Sequence, residues 1–155
     1  MKRVLAFLIS AIMIFAFAGC SNNKKDKFYP AEAVADALNE NLRFGEALEK
    51  SSAEIAYNIY GIDSSLCTNA TVYIGSGATA DEIAVFNCTD EAAAETVYET
   101  AQARLQYLLE GYSSYGPEEV PKIENAALLR EGNTVILCIS ENSDIAQSVA
   151  DSVAE

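Results

Sequence analysis

The longest periodic segment of the chain is an amphipathic stretch between residues 90 and 111. Asp90 and Glu91 lie in its first turn, where negative charge complements the helix dipole, and Gly111 ends the pattern. Its apolar residues recur at helical spacing and are Ala94, Val97, Tyr98, Ala101, Leu105, Leu108 and Tyr112. The pattern predicts one long helix with a single apolar stripe, which must pack against another element.

Two pairs of strand-like segments flank this helix. Residues 70–74 and 83–88 are separated by a glycine-rich loop, which predicts a first hairpin. Residues 126–130 and 134–140 are separated by Glu131-Gly132-Asn133, which predicts a second. Because the last segment is apolar on both faces, we expect it at the centre of the sheet.

Shorter helices complete the pattern. Pro30 suits a first helical position, and Ser51 with Glu54 matches a capping box that opens a second helix ending at Gly61. Ser143 can cap a last short helix. The order predicts an α+β fold with a ββαββα core. In that fold a four-stranded antiparallel sheet of two hairpins carries the long helix on one face, preceded by two short helices.

The first twenty residues have the pattern of an export signal. Lys2 and Arg3 precede an apolar run over residues 4–18, which would span about 22 Å as a helix. That length is short of the roughly 30 Å hydrocarbon core and is typical of a signal peptide. The run ends at Cys20 after small residues, and this ending resembles the bacterial lipobox, which implies that residues 1–19 are removed. The alternative is an uncleaved anchor helix.

The resemblance to a lipobox implies a lipid anchor. The cysteine that becomes the new N-terminus, Cys20, would carry a diacylglyceryl thioether, and two or more acyl chains hold a protein stably in a bilayer. Residues 20–29 then form a polar tether, and residues 30–155 form a single domain. We expect a protein anchored by lipid at the extracytoplasmic face of the cell membrane, with the membrane as its first partner.

Composition excludes several functions. The chain has no histidine, so a Ser-His or Cys-His nucleophile and a His-ligated zinc are excluded. The 23 acidic residues outnumber the 10 basic ones, for a net charge of −13, which argues against a nucleic-acid partner. The loop Gly75-Ser76-Gly77 leads into a strand, so no helix N-terminus is available there to bind phosphate. We predict no catalytic residue, no metal ligand and no cofactor.

Two pairs of residues are candidates for a site. Tyr112 and Tyr115 could contact a partner through exposed rings, or they could cover the end of the core.

Cys67 and Cys88 lie opposite each other, or one position off, if the first hairpin centres near residue 78. A disulfide between them would close a 22-residue loop, worth about 3 kcal/mol in the chain-entropy model. The interpretation we favour is three buried thiols, the third being Cys138, with the disulfide as the alternative.

Three segments carry a resemblance to a known family. They are Ser76-Gly77-Ala78-Thr79-Ala80-Asp81-Glu82-Ile83-Ala84-Val85-Phe86, Tyr115-Gly116-Pro117-Glu118-Glu119 and Leu129-Arg130-Glu131-Gly132-Asn133-Thr134-Val135. With the long helix between them, they resemble the small lipoproteins of domain-of-unknown-function family 4358, found in clostridia-like Firmicutes. The resemblance covers most of residues 30–140 and implies a one-domain lipoprotein. The family's activity is unassigned, so no catalytic residue is carried over.

These observations favour a module that acts by contact with an extracytoplasmic protein, held near its partner by the lipid and the tether. One alternative is a carboxylate-dependent hydrolase of cell-wall material, which would need two converging carboxyls about 5 to 9.5 Å apart. Another is a weak binder of a solute or a cation, which would need a polar pocket. A tyrosine-bearing surface patch would favour contact.

We predict that the mature protein begins at Cys20 and carries acyl chains on that residue. Intact mass spectrometry of the membrane-extracted protein measures both properties at once. A Cys20→Ala variant should retain the signal peptide and lose the added lipid mass. Detection of Met1 on the wild-type protein, or of an unmodified Cys20, would contradict the prediction.

Overall fold

The computed structural model describes residues 27–155. The predicted signal peptide, residues 1–19, and the lipidation residue Cys20 lie outside the described residues, so both stay predictions. Within residues 27–155, no helix combines the length and the apolar character that crossing a membrane requires.

Five helices and five strands form the described fold. In chain order they are α1 (Ala31–Asn41), β1 (Glu49–Ser51), α2 (Ala53–Tyr60), β2 (Cys67–Ile74), β3 (Glu82–Cys88), α3 (Glu91–Tyr115), α4 (Val120–Glu124), β4 (Ala127–Glu131), β5 (Thr134–Ile139) and α5 (Ala146–Ser152). The strands make one antiparallel sheet in the order β1-β2-β3-β5-β4. The predicted α+β class, both hairpins and the long helix are confirmed.

The predicted number of strands is wrong by one, because the sheet has five strands rather than four. The additional strand, β1, pairs with the outer edge of β2, where Lys50 lies opposite Tyr73. Its three residues are Glu-Lys-Ser, with no β-branched or aromatic side chain to indicate a strand. β1 is therefore defined by its neighbour and not by its own sequence.

Helices cover both faces of the sheet. Side chains of β3 and β5 alternate between two separate apolar clusters, and both strands are buried along their whole length. On one face, Phe86 and Leu137 pack with α2 and α3. On the other face, Ile83 and Ile136 pack with α1 and α5, including Leu38. The long helix thus lies across one face as predicted, and a second helical layer closes the opposite face.

The capping residues explain where two helices begin. The Asp90 side chain accepts a hydrogen bond from the Ala93 amide at 2.8 Å and starts α3. Ser52, rather than Ser51, caps α2 and accepts from the Ile55 amide. α2 ends at Gly61, whose φ of 65° is left-handed, as the sequence predicted.

The N-terminal end of the described chain packs against the fold. Tyr29, which the sequence assigned to the tether, is buried, and its hydroxyl donates to Asp151 at 2.7 Å. The backbone of Phe28 exchanges two hydrogen bonds with Glu155, at 2.9 and 2.8 Å. Chain attached in this way cannot act as free tether, so the tether predicted over residues 20–29 would have to end before residue 28.

We predict that truncating Leu38 destabilises the fold as a core substitution does. Leu38 is fully buried under the sheet, so Leu38→Ala should cost about 2 to 5 kcal/mol of unfolding free energy. Glu40→Ala, an exposed position two residues along α1, should change it by less than about 0.5 kcal/mol. Urea unfolding measures both, and equal small losses would show that α1 is not part of the core.

Candidate functional site

A groove lies between the β2–β3 loop and the C-terminal half of α3. Its volume is about 200 Å³. The loop residues Gly75, Gly77, Thr79 and Ala80 form one wall, and Arg104, Tyr107, Leu108, Tyr112 and Tyr115 form the other. A second, wider groove of about 340 Å³ lies beside it. Arg104 and Tyr107 line both grooves and form the ridge between them.

A buried ion pair lies at the base of the groove. The Glu82 side chain is only 4% exposed, and Arg104 donates to its two carboxylate oxygens at 3.2 and 2.6 Å. The Tyr60 hydroxyl donates to the same carboxylate. Burial lowers the pKa of Arg104, but the hydrogen bonds and charge of Glu82 raise it by more, so the net shift is upward. Burial first, and then Glu82, raise the pKa of Tyr60 well above its usual value.

This ion pair connects three elements, because Tyr60 ends α2, Glu82 begins β3 and Arg104 lies in the middle of α3. A buried carboxylate must be paired, and removing one partner of such a pair typically costs about 3 to 5 kcal/mol. The pair therefore ties α2 and α3 to the start of β3 at the base of the groove.

A second buried carboxylate holds the end of the loop. The Asp81 side chain is fully buried, and its Oδ1 lies 2.9 Å from Nζ of Lys122, which also pairs with Glu119 at 2.8 Å. Oδ2 of Asp81 accepts from the Gly45 amide at 2.6 Å, and Glu119 accepts from the Ala80 amide at 2.8 Å. Burial lowers the pKa of Lys122, but the two carboxylates raise it by more. The loop is thus held to α4 and to the segment before β1.

Glu46 binds the middle of the same loop. Its carboxylate accepts hydrogen bonds from the Ser76 amide at 3.0 Å and from the Thr79 hydroxyl at 2.9 Å. The hydrogen bonds from Ser76, followed by those from Thr79, lower the pKa of Glu46 to about 2. A carboxylate that accepts several donors in this way stays ionised and orders the backbone around it.

The two candidate tyrosines have different environments. Tyr112 is buried, and its hydroxyl donates to the carbonyls of Gly77 and Thr79, so it covers the end of the core and supports the loop. Tyr115 is 65% exposed, and its ring lies 4.7 Å from that of Tyr112. Neither lies in a loop, because α3 continues past Gly111 to Tyr115. The exposed ring of Tyr115 is thus available for contact with a partner, whereas the buried ring of Tyr112 packs against it from the core side.

Tyr107 was not predicted as a site residue. It is 68% exposed, and the Arg104 guanidinium lies 5.8 Å from the centre of its ring. Two of the three groove-lining tyrosines of α3 are therefore exposed at the rim. The signal in the sequence is position along the helix, since Tyr107 and Tyr115 lie eight residues apart, about two turns along α3.

The three remaining cysteines lie apart from the groove. Cys67 and Cys88 are directly opposite in the β2–β3 register, and both are free thiols. Cys138 is fully buried on the other face of the sheet, where burial raises its pKa to about 12. A bridge from Cys67 to Cys138 is therefore impossible without moving the sheet.

The two carboxylates that line the groove do not converge on one point. They are Asp81 and Glu82, and they diverge to different cations, Lys122 and Arg104. A general acid or a nucleophile needs a carboxyl that faces substrate. Within residues 27–155, no group of three or more His, Cys, Asp or Glu side chains is arranged to hold a metal ion.

The ion pairs of the site could not be predicted from the sequence. Asp81 and Glu82 are adjacent in the sequence, and in the structure their side chains diverge to different cations. Glu82 directly precedes the apolar segment 83–88. A charged residue at the start of a buried strand needs an ionic partner, and this is the one signal in the sequence that Glu82 has one. Nothing in the sequence identifies that partner as Arg104, 22 residues away.

Fold and site together define a class of protein: an α+β domain with helices on both sides of an antiparallel sheet and an aromatic-rimmed groove over a buried ion pair. The family model described as "Domain of unknown function (DUF4358)" matches residues 31–140, and the chain belongs to this family. The matched region includes the loop, the ion pair and all three groove tyrosines. No curated protein and no solved structure matches the chain.

We predict that Glu46 contributes to stability above pH 4.5 and that this contribution is lost in acid. Its pKa is about 2 in the folded state against an ordinary value of 4.5, so the unfolded chain takes up the proton first as the pH falls. Unfolding free energy should therefore fall between pH 4.5 and pH 2. In Glu46→Gln the fall should be smaller over this range.

Denaturant unfolding at a series of pH values measures this difference. Glu118→Gln, an exposed glutamate near the same groove, is the matched control and should keep the wild-type pH dependence. If the unfolding free energies of Glu46→Gln and the wild type fall in parallel, the hydrogen bonds from the loop to Glu46 contribute nothing to the pH dependence of stability.

Proposed function

We propose that the protein is a lipid-anchored, extracytoplasmic module that acts by contact, and that the groove with its two exposed tyrosines is the contact surface. The observation that carries the proposal is the position of the groove. It lies at the end of the domain opposite to the one where the N-terminal segment attaches.

The two ends of strand β3 define this polarity. Glu82, at its start, lies at the base of the groove. Asn87, near its end, donates to the Tyr29 carbonyl at 2.7 Å and accepts from the Ala31 amide at 2.8 Å. At about 3.4 Å per residue, the two positions are separated by about 17 Å along the strand. A domain attached through Cys20 would therefore present the groove away from the membrane.

The groove is built for recognition more than for reaction. Its loop is held by Glu46, Asp81 and Glu119, so little ordering entropy would be lost on binding. Tyr107 and Tyr115 add exposed aromatic rings, which are enriched at protein interfaces because they combine a large apolar area with a polar group.

The charges favour a basic partner surface. Two carboxylates, Asp81 and Glu82, line the groove, and two more, Glu46 and Glu119, bind its loop. Within residues 27–155, only two cations, Arg104 and Lys122, pair with this group, which leaves a local excess of negative charge. The whole chain has a net charge of −13, which would speed encounter with a positive surface. An arginine of the partner could also stack on an exposed tyrosine ring. We therefore expect an arginine- or lysine-bearing surface of an extracytoplasmic protein.

Site-specific photocrosslinking in the native host tests the proposal. A photoreactive phenylalanine analogue in place of Tyr107 or Tyr115 should give a discrete protein adduct. The same residue in place of Glu40, which is exposed on the opposite face, should not. Cys20→Ala should reduce the adduct, because the anchor no longer holds the two proteins at one membrane.

Two results would contradict the proposal. One is the absence of a position-specific adduct. The other is release of peptidoglycan fragments by the purified full chain that is lost in Glu82→Gln, while Tyr107→Ala and Tyr115→Ala keep it. That second result would assign the carboxylate-dependent hydrolase instead.

A further inference from the structure

A β-bulge places two cysteines side by side at the end of the first hairpin. From Ile74 opposite Glu82 to Asn69 opposite Asn87 the register is regular, and its continuation would put Thr68 opposite Cys88. The register shifts between Cys67 and Asn69, so Cys67 takes that place instead. The Thr68 hydroxyl donates to the Asn87 carbonyl at 3.2 Å and supports the bulge. Bulges of this kind redirect a side chain to the other face of a strand.

The backbone hydrogen bonds show which kind of pair the cysteines form. The Thr89 amide donates to the Leu66 carbonyl at 2.9 Å, one step beyond the pair. The Cys88 amide donates to Asn133 at 2.7 Å, away from Cys67. Cys67 and Cys88 are therefore a non-hydrogen-bonded pair, in which the Cα atoms lie about 4.5 Å apart. That separation falls at the short end of the range that a disulfide spans, about 4.4 to 6.8 Å.

We propose that Cys67 and Cys88 are a reversible dithiol–disulfide couple that exchanges with a disulfide-bearing oxidant, Cys67 being the exchanging thiol and Cys88 the resolving one. The site is independent of the groove, since it lies at the other end of the hairpin. Nothing in the proposed contact function requires it.

The environments of the two thiols assign these roles. Cys67 is partly exposed, whereas Cys88 is 5% exposed, so an oxidant reaches Cys67 first. The Cys88 thiol donates to the Phe86 carbonyl at 4.0 Å. The neighbouring Cys88 thiol lowers the pKa of Cys67 against the effect of its partial burial. The neighbouring Cys67 thiol, and then burial, raise the pKa of Cys88. The thiolate is the nucleophile in exchange, so the exposed cysteine is also the more reactive one.

The exchange proceeds in two balanced steps. The Cys67 thiolate attacks one sulfur of the oxidant, the oxidant's S–S bond breaks, and the first thiolate leaves with the proton that Cys67 lost. Cys88 then loses its proton and attacks Cys67 Sγ, which expels the second thiolate to take up that proton. Two protein thiols become one disulfide, and the oxidant's disulfide becomes two thiols.

Oxidation would lock the hairpin that carries the groove loop. The bond closes a 22-residue loop between positions 67 and 88, which in the chain-entropy model raises the ratio of folded to unfolded protein about a hundredfold. A bond across directly opposed strands next to a bulge is also constrained, and constrained disulfides are the more easily reduced ones. The couple is therefore expected to respond to the redox conditions around it.

Redox titration of the detergent-solubilised full chain tests the proposal. The protein is equilibrated with glutathione and glutathione disulfide over a range of ratios, quenched in acid, alkylated and mapped as peptides. We expect a Cys67–Cys88 disulfide that forms at high glutathione disulfide and disappears when reduced glutathione is restored, with Cys138 unmodified. Cys88→Ser should retain one glutathione on Cys67. Cys67→Ser should acquire glutathione on Cys88 at least tenfold more slowly.

The same titration can overturn the proposal. Free Cys67 and Cys88 in folded wild-type protein under excess glutathione disulfide would do so, and so would a bridge to Cys138. Faster modification of Cys88 than of Cys67 would overturn the assigned roles. Because the titration of the wild-type protein decides the first two points, the result does not depend on whether either serine variant folds.

Discussion

The fold depends on two central strands that are apolar on both faces. β3 and β5 send alternate side chains into two separate cores, and neither core can be left open to water. Burying both faces requires a helical layer on each side, which α1 and α5 provide on one face and α2 and α3 on the other. The sheet is antiparallel, yet its centre is covered like that of a parallel sheet.

One charged residue interrupts this apolar centre, and the site is built around it. Glu82 begins β3 inside the core, where an unpaired carboxylate would be strongly destabilising. Arg104 and Tyr60 satisfy it and in doing so connect α2, β3 and α3. Replacing such a triad with apolar side chains is often neutral or stabilising in proteins, so stability alone is weak grounds for keeping it. Its position under an exposed aromatic rim is consistent with a role in shaping that surface.

The two ends of the hairpin β2–β3 have different chemistry. At the loop end, carboxylates and backbone amides hold Gly75 to Asp81 in place beside the tyrosines of α3. At the other end, near the attachment of the N-terminal segment, Thr68 bulges outward and Cys67 meets Cys88. A short antiparallel pair thus connects the groove to a pair of thiols. The strands between them are buried along β3, so a constraint at one end is imposed on a rigid element.

The sequence by itself determined the features that are encoded over short distances. Helical spacing located α3, alternation and turn residues located both hairpins, and the doubly apolar segment 135–139 was correctly placed at the centre of the sheet. Each of these signals is contained within about twenty consecutive residues, because a helix or hairpin has its own local pattern of buried positions. The position of the first hairpin's turn also predicted that Cys67 lies within one position of Cys88. The sequence did not predict the β-bulge that places them directly opposite each other.

Tertiary structure alone decided the rest. β1 exists because β2 offers it an edge, since its own residues carry no strand preference. α3 passes Gly111 because Tyr112 bonds to the loop and stacks on Tyr115, which offsets the roughly 1 kcal/mol that a glycine costs in a helix. Glu82 pairs with Arg104, and no feature of the sequence around either residue indicates the other as its partner. Local periodicity reports which face of an element is buried, whereas the identity of what lies against that face is settled only when distant segments meet.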